Sequence, residues 1–261
     1  MTVNIPLSLL DQLHTLSIEA GDLIMSIYKT DFDVHTKGDN SPVTQADQMA
    51  EDLITAGILK IAGDAFPIVG EEAFSNGKAP VITDSPFWLV DPLDGTKEFI
   101  SKNGEFTVNI ALIDSGRPVL GVVHAPALKQ TYLGSPHGAF ADLDGTGPRP
   151  ISCRAHPAQG LTALVSRNHK TPETETFLKD FNIAEEMSAG SSLKFCNVAR
   201  GVADLYPRLG RTMEWDTAAG HAVVLAAGGS VTNIDGIPLG YGKPGFENPH
   251  FVVKGVPDAN T

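Results

Sequence analysis

Three short apolar segments of the chain run directly into carboxylates, and this recurrence constrains the fold more than any single residue type does. Residues 66–69 lead into Gly70, Glu71 and Glu72, and residues 87–90 lead into Asp91, Pro92, Leu93, Asp94 and Gly95. Trp215 in turn precedes Asp216 and an alanine-rich stretch. The first two segments read as buried strands with acids at their ends, and the third as the start of a helix. Such elements require a layered α/β architecture.

The rest of the chain fits that class. Leu9, Leu13, Leu16, Ala20, Leu23 and Ile27 recur at steps of three and four, the pattern of an amphipathic helix. Thr44 followed three residues later by Asp47 has the form of a capping box, opening a second helix that runs to about Ala62. Alternation over 106–113, a turn at 114–118 and an apolar run over 119–125 predict an antiparallel hairpin. The Gly-, Pro- and Asp-rich stretch 142–150 is the best boundary, dividing an α+β part (1–150) from an α/β part (151–261). In the second part strands are expected near 163–166, 204–206, 230–233 and 251–253. Helices are expected near 172–180, 192–200 and 216–227.

Composition excludes several functions. Acids outnumber bases by 12 in 261 residues, which argues against a broad nucleic-acid surface. Cys153 and Cys196 form neither a disulfide framework nor a zinc knuckle. Residues 1–10 lack the basic and apolar regions of a signal peptide, and no long apolar run marks an integral membrane segment, so a cytoplasmic location is expected. Peripheral association with the inner face of the membrane stays open.

The chemistry concentrates at Asp91 and Asp94. An apolar strand delivers both carboxylates into a Pro and Gly turn, and hard oxygen donors grouped in this way suit Mg²⁺, which can clamp the oxygens of a phosphoryl transfer. Taken singly, each acid has a plainer reading. Asp216 could be an N-cap, and Glu71 and Glu72 a solvated strand end. A second acidic motif, Asp142-Leu-Asp144-Gly-Thr146, matches the nucleophile loop of haloacid-dehalogenase phosphatases, but it does not follow a strongly apolar strand. The three-residue spacing of Asp91 and Asp94 favours an activated water over an aspartyl-phosphate.

The segment WLVDPLDGTKEF (88–99), with Gly70-Glu71-Glu72 and residues 215–220, resembles the inositol-monophosphatase superfamily of Mg²⁺-dependent, lithium-sensitive phosphatases. The match extends over nearly the whole chain. Residues 37–47, 91–114, 190–201 and 205–223 resemble more narrowly its bisphosphate-nucleotidase branch, which serves sulfur metabolism. The resemblance implies a layered α-β-α-β-α sandwich of the inositol-monophosphatase and sugar-phosphatase type.

It further implies that Glu71, Asp91, the Leu93 carbonyl, Asp94 and Asp216 bind two or three Mg²⁺ ions, while Asp47 and Thr96 activate the water. Gly95 and Thr96 would offer amides to the phosphate. His169, Ser191, Lys194 and Arg208 would hold the nucleotide and its non-reacting phosphate. The implied reaction is hydrolysis of the 3'-phosphate of adenosine 3',5'-bisphosphate to AMP and phosphate by metal-activated water. The alternatives are an inositol or sugar phosphatase of the same superfamily, and a non-catalytic metal- or nucleotide-binding sensor. From the residues alone, Lys194 and Arg208 could equally be surface charges and His169 a loop histidine, and the effect of Glu214 on the metal site is open.

Overall fold

The computed structural model describes residues 3–31, 33–36, 42–83, 85–165 and 171–256. His169 and residues 37–41 of the first nucleotidase-like motif lie outside them. Helix α1 (Leu7–Tyr28) is followed by the antiparallel pair β1 (Val34–Thr36) and β2 (Pro42–Thr44), and then by α2 (Gln45–Ala62). Both helices lie on the outer face of a seven-stranded sheet. Its strands stand in chain order: β3 (Ile68–Gly70), β4 (Phe87–Asp94), β5 (Thr107–Asp114), β6 (Arg117–Ala125), β7 (Gln130–Ser135), β8 (Gly138–Asp142) and β9 (Arg149–Ile151). Only the β3–β4 pair is parallel. Two single-turn helices, α3 (Glu71–Ser75) and α4 (Thr96–Ile100), follow β3 and β4.

The second sheet has the order β11-β10-β12-β14-β13. Its strands are β10 (Leu161–Val165), β11 (Ile183–Ser188), β12 (Leu205–Arg208), β13 (Ser230–Asn233) and β14 (Phe251–Lys254). Helix α5 (Pro172–Leu178) covers its outer face, and α6 (Leu193–Ala199) and α7 (Glu214–Ala226) fill the layer between the two sheets. The α-β-α-β-α sandwich is therefore present.

Strand alternation sorts side chains into the layers. In β4, Trp88 and Val90 pack under α1 and α2, while Phe87 and Leu89 face the middle layer. In β14, Phe251 and Val253 join that middle layer and Val252 packs on the α5 side. Burying each such side chain stabilises by roughly 1.5–3 kcal/mol. Helix α7 lies unusually close to the large sheet over Gly121 and Gly134, which are paired across β6 and β7. A Cβ on Gly121 would stand 2.3 Å from the Ala219 carbonyl oxygen, and one on Gly134 2.5 Å from the Val223 Cα.

Both amphipathic helices and the 107–125 hairpin form as the sequence predicts. Elsewhere the boundaries differ. β4 runs four residues further than its apolar segment, and α7 begins two residues before Asp216, so that Asp216 is the third residue of the helix rather than its cap. Strand β11 has no counterpart in the sequence pattern, because IAEEMS is an edge strand in which Ala184, Glu185, Glu186 and Ser188 are all exposed and no alternation shows. Cys153 and Cys196 are buried free thiols. Among the described residues no helix is long and apolar enough to cross a membrane.

Candidate active site

The register of β4 against β5 explains how two carboxylates three residues apart face the same way. Asp91 pairs with Asn109 and Asp94 with Thr107, so β4 carries one extra residue over this interval. Strand side chains alternate, and an odd spacing would ordinarily send Asp91 and Asp94 to opposite faces. The bulge restores both to the middle-layer side. Pro92, which has no N–H to give a ladder, is tolerated at such an irregularity. Leu93 turns the other way into the core under α1 and α2, and its amide donates to Asp91 Oδ1 at 3.0 Å. Gly95, at φ 92°, provides the left-handed residue that turns the strand into α4.

Asp47 and Thr96 meet across this turn. The capping box forms as expected: Asp47 Oδ2 accepts from the Thr44 amide and hydroxyl, each at 2.8 Å. That leaves Asp47 Oδ1 toward Thr96, whose hydroxyl stands 3.4 Å from it and 3.4 Å from the Leu93 carbonyl oxygen. One helical turn beyond Asp47, Glu51 is buried and accepts from the Glu72 and Ala73 amides, each at 2.7 Å. It thereby fixes the start of α3, where Glu71 is the first residue. Gly70 permits this approach, since a Cβ there would lie 2.3 Å from the Glu51 carboxyl carbon. Burial raises the Glu51 carboxyl to about 7, with the amides opposing and the Glu72 and Glu71 charges adding. Glu51 escaped the sequence reading, and its only signal is the four-residue spacing from Asp47.

The second half of the chain closes on the same point. Ser191 Oγ and Ser192 Oγ donate to Asp94 Oδ2 at 2.5 and 2.9 Å, and Ser191 Oγ also lies 2.5 Å from Thr107 Oγ1. Glu105 Oε2 accepts from the Gly190 amide at 2.8 Å, tying the serine loop to the first sheet. Lys194 Nζ is buried and donates to the Ala189 and Ser191 carbonyls at 3.1 and 2.7 Å; burial lowers its ammonium to about 8. Asp216 Oδ2 accepts from the Met213 amide at 2.8 Å.

Glu214 points away from the carboxylates. Fully buried, it accepts from the Gly242 and Lys243 amides at 2.7 and 2.9 Å and from Lys243 Nζ at 2.7 Å. Asn248 Nδ2 completes the clamp by donating to the Met213 carbonyl at 2.7 Å. The start of α7, and with it Asp216, is thus held by the 240–248 segment.

A cleft of about 160 Å³ brings Asp94, Gly95 and Asp216 together with Ser191, Lys194 and Arg208. Its electrostatics are uneven. Burial, and then the Asp94 and Glu71 charges, push the Asp216 carboxyl well above the usual range. Asp142 and Asp144 stand elsewhere, in a self-capped turn after β8 in which Asp142 Oδ1 accepts from the Gly145 amide at 2.8 Å.

The donor set, consisting of Glu71, Asp91, Leu93, Asp94 and Asp216, is all oxygen and suits a hard cation. Among the described residues, no three His, Cys, Asp or Glu side chains are already gathered to hold one ion. Asp94 and Asp216 are turned instead onto the serine hydroxyls and the Met213 amide. Asn109 Nδ2, opposite Asp91 on the middle-layer side, is buried with no hydrogen-bond partner and suits an oxygen atom of a ligand.

The sequence pattern of the inositol monophosphatase family matches residues 7–254, and the chain belongs to that family, a class of phosphatase enzymes. Its relatives include the 3'(2'),5'-bisphosphate nucleotidases CysQ of Shigella flexneri and Escherichia coli K12. They are 45% and 44% identical to it over 248 residues, a span that covers 94% of this chain and 99% of each relative. The crystal structure of CysQ from Bacteroides thetaiotaomicron matches with a TM-score of 0.77 at 38% identity, covering 95% of this chain and 97% of that one. The extragenic suppressor protein suhB from Bartonella henselae matches at 0.76 and 26% identity, covering 95% and 94%.

Proposed function

We propose that the protein hydrolyses the 3'-phosphate of adenosine 3',5'-bisphosphate, giving AMP and phosphate. The observation that carries this reading is one cleft whose walls hold both carboxylates (Asp94, Asp216) and cations (Lys194, Arg208). A ligand with two phosphates, one held through metal ions and one by fixed cations, satisfies both sets of groups. The likeness to the CysQ nucleotidases points the same way.

In this reading Glu71, Asp91, the Leu93 carbonyl, Asp94 and Asp216 hold two or three Mg²⁺ ions. When bound, these ions supply an acidified water and neutralise charge on the transferring phosphate. The Thr96 hydroxyl orients the attacking water and passes its own proton toward Asp47 Oδ1, which the Thr44 donors keep aimed. Gly95 and Thr96, opening α4, present amides to the phosphate oxygens. Ser191 positions Asp94, and Lys194 and Arg208 face the nucleotide. The water oxygen bonds to phosphorus, its proton passing to the Thr96 oxygen, as the bond between phosphorus and the ribose 3'-oxygen breaks and that oxygen takes a proton from solvent to become the 3'-hydroxyl of AMP. Residues 1–150 would contribute most metal ligands, and residues 151–261 the nucleotide contacts and Asp216.

Phosphate release from adenosine 3',5'-bisphosphate, inositol 1-phosphate and fructose 1,6-bisphosphate, each with Mg²⁺ and then with added Li⁺, tests the proposal. The nucleotide is expected to give the highest kcat/KM, and Li⁺ to inhibit. A higher kcat/KM for the inositol or sugar phosphate would overturn the substrate assignment, and no release from any of them would support a non-catalytic binding role.

A further inference from the structure

Beside the cleft lies a second cavity of about 330 Å³, whose walls include Lys97, Thr174, Leu209, Arg208 and Arg211. Lys97 and Arg208 line both spaces, so the two adjoin. Their charge balance differs. The cleft mixes Asp94, Asp216, Glu98 and Glu105 with Lys97, Lys194 and Arg208, whereas the described walls of the side cavity hold two arginines, one lysine and no carboxylate. In a chain with a net charge of −12, a recess of that composition is an unusual concentration of positive charge.

Two further observations concern how these cations are held. Arg208 Nη2 donates to the Arg211 carbonyl at 3.2 Å, which binds the β12 end to the following loop. Lys97 follows Thr96 in α4, so one short helix carries both the hydroxyl of the reacting centre and a cation of the side cavity. Lys194, by contrast, already spends two of its three ammonium hydrogens on the Ala189 and Ser191 carbonyls, which leaves at most one for a ligand. A second phosphate needs more donors than that. Arg211 is joined to Glu247 by a pair in which both side chains are more than half exposed, a contact of little strength that a phosphate can displace.

We infer that the side cavity seats the second, non-reacting phosphate of the substrate, and that Lys97 and Arg211 determine specificity there together with Arg208. The inference rests on the bisphosphate reading above and adds two residues to it. It also predicts where discrimination against monophosphates arises: in the side cavity, whose described walls hold no carboxylate.

The test is the ratio of kcat/KM for adenosine 3',5'-bisphosphate to that for adenosine 3'-monophosphate, at fixed Mg²⁺ and ionic strength. It is measured on the wild type, Lys97→Gln, Lys97→Arg, Arg211→Gln and the double Gln variant. The wild-type ratio should be well above one. Each single Gln variant should lower it by roughly tenfold, mainly through KM for the bisphosphate, as expected for one charge-assisted contact. The double variant should lower it further, and Lys97→Arg should retain most of it. Arg211, on an exposed loop, keeps the test valid if changes next to Thr96 disturb the fold. A discriminating wild type whose ratio survives in both Gln variants, or losses equal on the two substrates, would overturn the inference alone. A wild type that does not discriminate would overturn the bisphosphate reading and the inference with it.

Discussion

Glu214 gives the sharpest test of how the site is built, because its role follows from three donors and complete burial. Replacing it with Ala leaves the Gly242 and Lys243 amides and the Lys243 ammonium without their shared acceptor. Leaving two amides unsatisfied costs roughly 1–3 kcal/mol each, and with the lost ammonium contact about 3–5 kcal/mol in all. At this chain length each kcal/mol moves the melting temperature by about 2–4 °C, so Glu214→Ala should melt roughly 6–20 °C below wild type. Lys243→Met removes only the ammonium, whose side chain is 31% exposed, and leaves both amides bonded to the carboxylate. Its cost should be about 1 kcal/mol or less, a shift of roughly 2–4 °C. Calorimetric melts of the three proteins provide the comparison. In Glu214→Gln, which keeps one acceptor oxygen, Mg²⁺ titrations of activity should show a raised half-saturation with substrate KM little changed, since Glu214 acts through the helix that carries Asp216. Equal melting losses in Lys243→Met and Glu214→Ala would refute the argument that the two amides dominate the clamp.

Asp94→Asn should keep its serine partners and its fold but lose roughly a thousandfold or more in turnover, because Lewis-acid stabilisation is worth several kcal/mol and each ~1.4 kcal/mol is tenfold; circular dichroism with phosphate release at saturating Mg²⁺ would check both. Asp142→Asn should leave kcat/KM within about twofold of wild type, and an inactive but folded variant would reinstate the 142–146 loop as catalytic. Gly121→Ala should destabilise by at least ~1–3 kcal/mol in urea unfolding, since the added Cβ meets the Ala219 carbonyl rather than a movable side-chain tip. His124, which burial and the neighbouring His14 lower to about 4, binds fewer protons folded than unfolded between that value and the free-histidine value near 6.5. Stability should therefore rise as pH increases across this window, by up to ~1.4 kcal/mol per unit, and urea midpoints of His124→Gln should show a shallower slope than wild type.

What could be read in advance depended on how local the determining physics is. The 107–125 hairpin and α2 carry their own signals, alternation with a tight turn in one and a capping box in the other. Helices α3 and α4 span five residues each, too few for any periodicity to show, and their positions come from Glu51 in the first case and a left-handed glycine in the second. The pairing of Asp91 with Asp94 was legible as chemistry, but its geometry was not. The acids were read as a turn, whereas they end a strand whose bulge is fixed by Asn109 and Thr107 on the neighbouring strand. Asp216 was likewise visible as an acid at a helix start, yet its position as third residue depends on Glu214 and a loop nearly thirty residues later. The cations of the second half stood out only by family likeness, since Ser191, Lys194 and Arg208 become a group only when α6 and β12 meet at the cleft.

The strand order of the smaller sheet has a consequence for how the protein comes into being during synthesis. β14, last in chain order, is not at the sheet edge but lies between β12 and β13, with Phe251 directly opposite Arg208. A growing chain can complete the seven-stranded sheet and the helices α2 and α3, and with them Asp47, Glu71, Asp91 and Asp94, well before that strand leaves the ribosome. Until it arrives, β13 has no neighbour in its sheet and the Arg208 backbone lacks the partner that sets its position. The nascent protein thus acquires Asp47, Glu71, Asp91 and Asp94 early, and Asp216 and the set position of Arg208 only later. Folding order by itself therefore separates in time the two parts of the chain that line the cleft.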